Sequence, residues 1–181
     1  MKRSAVISLG LRYGILLVFG IANVLLGENG LFYTLLTPLT IKPVFYIFQW
    51  LYADAALFGA HTIFIKGYYA TIIPACVAGS AYYLLLMLNL TTPMALPKRL
   101  WSLVYTFILF LLLNIGRIVL FGALVTKGYP YFDITHLTTW YFGSTVLVVA
   151  LWFSGIYLFR ISEVPVLSDI RSLMHDIRRK K

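Results

Sequence analysis

The chain has 181 residues, of which 61% are hydrophobic and only 12% charged, with a formal net charge of +9. Soluble domains carry about a quarter charged residues, so the composition excludes an ordinary soluble domain and indicates an integral membrane protein. The positive balance does not require nucleic acid. Lys2 and Arg3, Lys98 and Arg99, and the run from Arg171 to Lys181 lie in polar flanks, where Lys and Arg mark the cytoplasmic side.

A spanning helix needs about 20 predominantly apolar residues. The first such run is Ala5 to Leu26, closed by Gly27-Glu28-Asn29-Gly30, with Arg12 placed to snorkel. Its basic start imitates a secretory signal. No small-residue cleavage site precedes Glu28, so it reads as a retained helix. Leu31 to Ile41 is too short to span comfortably and is followed by Lys42-Pro43. Val44 to Ala60 then reads as a helix carrying Asp54. Thr62–Ile65 and Tyr68–Ile73, rich in β-branched and aromatic residues around Lys66-Gly67, predict a β-hairpin.

A third strong helix is predicted from Ala75 to Leu90. Thr91 to Pro97 reads as a loop closed by Lys98-Arg99, and a fourth helix runs from Trp101 to Val125. Thr126 to Thr135 is a polar loop, and a fifth helix runs from His136 to Phe159. Val164-Pro165 opens a basic tail in which Ile170, Leu173 and Ile177 alternate with basic residues, the pattern of a short helix on anionic lipid. His175 lies in that tail and reads as solvated.

The expected fold class is an all-α polytopic membrane protein. It is a compact helical bundle of about five to six membrane segments, with a short extracytoplasmic β-hairpin before the cysteine helix. Residues 1–163 form one transmembrane domain and 164–181 a cytoplasmic tail. If Met1, Lys98-Arg99 and the tail are all inside, the stretch from Leu31 to Ala60 must leave and return to the outer side. A two-legged excursion with Lys42 at its inner turn achieves this. A surface-lying segment is the alternative. The starts of the third and fifth helices and the end of the fourth converge on the outer side.

That convergence gathers the residues with chemistry. Arg117 stands inside the fourth apolar run, about 12 Å from its outer end at 1.5 Å per residue. A charge in a membrane helix is expensive and marks function by default; the plain alternative is a structural ion pair, with Asp54 as one partner. Asn114 shares its face. Cys76 is the only cysteine, which excludes an internal disulfide and a multi-cysteine zinc site. In the first turn of a helix it feels the positive dipole end, which favours thiolate; otherwise it is an inert small hydrophobe. Gly79, one turn on, leaves room for a substrate backbone or for helix packing. His136 is a candidate base or a helix-cap neighbour, His61 is its rival, and Asp133 or Asp54 could orient it. No metal or cofactor is called for.

Three short segments resemble the exosortase/archaeosortase family of multi-pass transpeptidases. They are Ile73-Pro-Ala-Cys-Val-Ala-Gly79, Asn114-Ile-Gly-Arg117-Ile, and His136 with Gly143. The likeness covers roughly residues 43–160. Val77 departs from the small polar residue that the family favours after the cysteine, and histidine at 136 leans towards the exosortase-type arrangement. The resemblance implies that Cys76 attacks a backbone carbonyl of a C-terminal sorting signal, a motif followed by a membrane helix and a basic cluster. Arg117 would stabilise the oxyanion and His136 would protonate the leaving amine. The acyl group would then pass to an amine or a lipid-linked acceptor. The partners expected are such exported proteins and membrane lipid, with the site facing outside the cytoplasmic membrane. A non-enzymatic assembly or transporter subunit, and a cysteine protease using water as acceptor, are the competing readings.

Overall fold

The long apolar runs fold as helices, in which the backbone satisfies its own hydrogen bonds. The structure, a computed structural model, describes residues 14–22, 25–26, 30–92 and 94–161. Lys2, Arg3, Arg12, Glu28, His175 and the basic tail 164–181 lie outside the described residues. Residues 14–22 are helical. They are followed by α1 (Leu31–Leu51), β1 (Ala56–Phe58), β2 (Thr62–Ile65) and β3 (Tyr68–Thr71). Next come α2 (Pro74–Val77), α3 (Gly79–Thr91) and α4 (Leu96–Thr126), then α5 (Phe132–Thr138), a π-helical turn (Thr139–Gly143) and α6 (Ser144–Leu158). Among the described residues, four helical stretches are long and apolar enough to cross a membrane: Leu31–Leu51, Pro74–Thr91, Leu96–Thr126 and Phe132–Leu158.

The sheet exceeds the expected hairpin. β2 and β3 pair as predicted, with Ile65 opposite Tyr68 and Ile63 opposite Ala70. Lys66 and Gly67 make the turn at φ 45° and 85°, the positive-φ pair that a two-residue hairpin loop demands. β1 adds a third antiparallel strand on the other side of β2. The sequence reads β1 as the end of a helix from Val44 to Ala60. That helix instead stops at Leu51, and Tyr52 is extended. Asp54, exposed in the turn that follows, accepts the backbone N–H of Lys66 at 2.8 Å. Its carboxylate ties the helix exit to the hairpin turn.

The stretch before it also departs from expectation. Pro38 and Pro43 read as breakers, yet α1 runs through both. Each proline deletes one helical N–H donor. Packing outweighs that loss: Phe32, Tyr33, Leu36, Ile41, Val44 and Phe48 are all buried. The hydroxyls of Thr34 and Thr37 add bonds back to the Gly30 and Tyr33 carbonyls. Lys42 is therefore an exposed residue in mid-helix, and no two-legged excursion turns there.

The contacts of α1 define one end of the bundle. Near its start, the Tyr33 hydroxyl meets His61 Nδ1 at 3.4 Å, and Phe32 packs on Gly79. At its close, the Tyr52 hydroxyl meets Thr126 Oγ1 at 3.1 Å. Both ends of α1 thus touch the half of the bundle that carries the sheet. At the other end, buried Asn89 donates to Ser102 Oγ at 3.1 Å, and Arg99 donates to the Thr92 carbonyl at 2.9 Å. Lys98 and Arg99 sit in the first turn of α4, which starts at Leu96 rather than Trp101. Between the two ends, Tyr82 is fully buried, edge-on to Phe107 and Phe110.

Close approach of α1 to α4 depends on Gly122, where an added Cβ would run into the buried Phe48 ring. Gly122→Ala should lower stability by about 1–3 kcal/mol through overpacking. Gly116→Ala meets open space in the same helix and should be neutral or stabilising by up to about 1 kcal/mol. Thermal midpoints in detergent check both; equal effects would contradict the packing described.

Candidate functional site

The third predicted helix is broken, and the break builds the site. Ala78 sits in the left-handed region at φ 58°, between α2 and α3. For a non-glycine residue this conformation costs about 1–2 kcal/mol. α2 closes with the Ala78 N–H on the Pro74 carbonyl, and α3 opens with the Ala81 N–H on the Ala78 carbonyl. The carbonyl of Cys76 is left without a helical amide, whereas a continuous helix would offer it one four residues on.

Two side chains of α4 fill that vacancy. Asn114 Nδ2 donates to the Cys76 carbonyl at 2.9 Å, and Arg117 Nη2 donates to it at 3.4 Å. A hydrogen bond from a charged donor contributes about 1.5–3 kcal/mol and a neutral one about 1. Together they more than offset the strained alanine. Arg117 Nη1 donates to Ser144 Oγ at 2.6 Å, and that hydroxyl donates in turn to the Thr139 carbonyl at 3.4 Å. Asn114 is buried; Arg117, Cys76 and Ser144 are half-buried. The remaining guanidinium N–H groups carry no hydrogen bond among the described residues.

The structure thus brings together Cys76, Asn114 and Arg117, and adds Ser144, which sequence reasoning missed. Its only signal was a hydroxyl just inside the last apolar run. Arg117 does not pair with Asp54, which serves the hairpin turn instead. His136 is not at a helix start: α5 begins at Phe132, so His136 lies in its last turn and is exposed. Its ring stacks on Phe132 at 5.5 Å and stands edge-on to Phe121 at 4.9 Å. Phe121 is one turn beyond Arg117 on α4. His136 therefore borders the arginine's helix, with no hydrogen bond to Cys76 or Arg117 among the described residues. Asp133, exposed in the first turn of α5, makes none to His136 either. His61, held by Tyr33, belongs to the junction of α1 and the sheet. Gly79 does not open the site: Phe32 Cβ would lie 3.2 Å from a Cβ placed there.

An apolar groove of about 540 Å³ flanks the cysteine turn. It runs along α2 and α3 from Pro74 and Ala75 past Gly79 and Tyr83 to Met87, and is walled by Leu17, Gly20, Ile21 and Leu25 and by Phe32 and Tyr33 of α1. The Tyr83 hydroxyl donates to the Leu16 carbonyl and pins that wall.

What this arrangement can do chemically is confined to its few polar groups. It offers one thiol, one guanidinium with free donors and a nearby hydroxyl, in surroundings that are otherwise apolar. Such a set suits acyl transfer at a carbonyl. No cluster of three or more His, Cys, Asp or Glu residues able to hold a metal exists among the described residues. No family model, no curated protein and no solved structure matches this chain.

The clasp on the Cys76 carbonyl generates a prediction that does not involve any reaction. Asn114→Leu should lower stability by about 1–3 kcal/mol, because a buried acceptor loses its best donor. Freed from that bond, the cysteine turn should also react faster with a small maleimide. An unchanged thermal midpoint together with an unchanged alkylation rate would show that the bond is dispensable.

Proposed function

We propose that this chain is a membrane-embedded cysteine transpeptidase of the exosortase/archaeosortase kind, acting on C-terminally anchored proteins. The observation that carries the reading is the clasp itself. Arg117, a membrane-helix charge, is bonded to the residue that bears the only thiol. A charge placed there for packing alone had no need to select that residue.

In this reading the Cys76 thiolate attacks a substrate carbonyl. The C–S bond forms, and the carbonyl electron pair moves to oxygen. The free N–H groups of Arg117 stabilise that oxyanion, in surroundings dry enough to make a fixed charge effective. The tetrahedral species collapses, and the leaving amine takes a proton from His136. That transfer requires substrate, or a shift of α5, to bridge the gap beyond Phe121. The acceptor's nucleophile then breaks the thioester and restores the thiol.

The membrane arrangement belongs to the same proposal. We place α1 obliquely across the sheet end, since both of its ends touch that end. The first apolar run of the sequence, Ala5 to Leu26, together with α2–α3, α4 and α5–α6, then crosses the bilayer. Lys98, Arg99 and the tail face the cytoplasm, and the sheet and Cys76 face outside.

A second reading has one observation in its favour. Arg117 is already bonded to a backbone carbonyl and to Ser144, as a purely structural clamp would be. The decisive assay is processing of a co-produced protein that ends in a membrane helix and a basic cluster, read by mass spectrometry. Cys76→Ser should abolish processing while insertion and thermal midpoint survive, because the two side chains are nearly isosteric. Arg117→Lys should slow it by about 100-fold, since an ammonium does not reproduce the planar fork. Wild-type processing by Cys76→Ser would remove the enzymatic reading. Product mass distinguishes transfer to an acceptor from hydrolysis.

A further inference from the structure

β3 is the strand that leads into the cysteine turn, and one of its edges is open. Its phase follows from the hairpin. Ile65 and Tyr68 flank a two-residue turn and bond to each other, and alternate pairs then do the same. The Ile72 N–H on the His61 carbonyl, at 2.8 Å, fits that phase. Tyr68, Ala70 and Ile72 therefore direct their backbone groups at β2. The N–H and C=O groups of Tyr69 and Thr71 point the other way and find no backbone partner among the described residues. Tyr69 is 65% exposed. The strand continues through extended Ile73, whose carbonyl accepts the Cys76 N–H at 2.9 Å. The open edge is thus continuous with the thiol-bearing turn.

We propose that this edge of β3 binds the extended segment of a substrate just before its cleaved bond, as a fourth strand running parallel to β3. The inference rests on the transpeptidase reading and names how that site recognises its substrate class. Outward N–H and C=O groups recurring every second residue, about 6.6–6.8 Å apart, are matched in full by another extended backbone. Lipid satisfies none of them. Direction follows from connectivity. β3 passes from extended chain into the α2–α3 helix, and a C-terminally anchored substrate likewise passes from extended chain into a helix. Parallel pairing lays the two helices side by side and carries the substrate carbonyl past Thr71 to Cys76. Antiparallel pairing sends the substrate's helix away from the membrane. The sheet also offers a side-chain platform: Tyr69 packs on Phe64 at 5.0 Å and on Phe58 at 5.7 Å between ring centroids. Recognition that runs through the backbone tolerates varied side chains, while the aromatic platform favours apolar or flat ones at alternate positions.

The test uses the full-length Cys76→Ser protein in lipid nanodiscs, so that binding is read without turnover. The probe is a synthetic peptide with an extended Thr/Val segment of about six residues, a Leu-rich helix of about 20 residues and a terminal Lys cluster. A photoreactive group in the extended segment reports binding. N-methylation of alternate amides in that segment should weaken binding on the order of tenfold, and N-methylation of the intervening amides should not. Thr71→Pro removes one outward N–H, leaves the β2 ladder intact and suits an edge strand; it should weaken binding similarly. Thr71→Val loses the same Thr62 hydroxyl contact but keeps the N–H, and should bind as the parent does. Absence of probe binding, absence of a two-residue period, or equal binding by the two Thr71 variants would each overturn the proposal. So would cross-linking of Tyr69 edges between copies without probe, which would assign the edge to a second copy. Any of these results with Cys76-dependent processing intact leaves the transpeptidase reading standing. Loss of that processing dependence with the period retained removes the chemistry alone.

Discussion

The organisation of this protein turns on a single carbonyl oxygen. A left-handed alanine interrupts the cysteine helix and exposes the Cys76 carbonyl, and Asn114 and Arg117 of α4 take it. Neither half is stable by itself. Ala78 adopts a strained conformation, and Arg117 brings a charge into an apolar helix, where solvation is poor. Each resolves the other. The fold therefore fixes the thiol-bearing residue relative to the charge in the middle of α4 through two side-chain donors on one main-chain carbonyl.

The same constraint organises the neighbouring elements. Ser144 completes the arginine's partners from the start of α6, immediately after the π-helical turn at Thr139–Gly143. Wide turns of this kind often accompany functional sites, because they redirect side chains at the point of insertion. Here the Thr139 carbonyl accepts from Ser144, so the irregular turn is tied to the arginine through one hydroxyl. The sheet is locked on from the other side. Asp54, Lys66 and Tyr52 join the hairpin turn to the end of α1, and Ile73 hands β3 over to the cysteine turn. A displacement of the sheet would reach the thiol through only a few bonds.

Much of this was written locally in the chain, and the rest was not. The hairpin was legible because Lys66-Gly67 and its β-branched, aromatic flanks leave little alternative. The long apolar runs around Tyr82, Phe110 and Leu151 were legible from composition, though their ends were not, since Leu96 and Phe132 start helices inside segments that read as loops. α1 was misread because Pro38 and Pro43 act locally as breakers, and only burial of Phe32, Val44 and Phe48 carries the helix through them. The break at Ala78 had no local sign at all: alanine is a strong helix former, and its conformation is set by side chains 36 and 39 positions away on α4. Arg117 and Cys76 stood out as rare residue types. Ser144, an ordinary hydroxyl, acquires meaning only from its partner. His136 was visible as a residue, but its place stacked on Phe132 and edge-on to Phe121 was not, because Phe121 belongs to another helix, fifteen positions away in the chain.

The central claim is that the Cys76 thiol becomes acylated by a substrate carbonyl beside Arg117. The most direct measurement is intact-mass analysis of the unsubstituted protein incubated with an anchored substrate and no added acceptor, before and after hydroxylamine, with the adduct mapped by peptide fragmentation. The account predicts a covalent adduct on Cys76 that carries the substrate's amino-terminal part, is released by hydroxylamine, and is absent when Cys76 is Ser. Processed product formed while Cys76 stays unmodified in every variant, or an adduct that resists hydroxylamine, would contradict it.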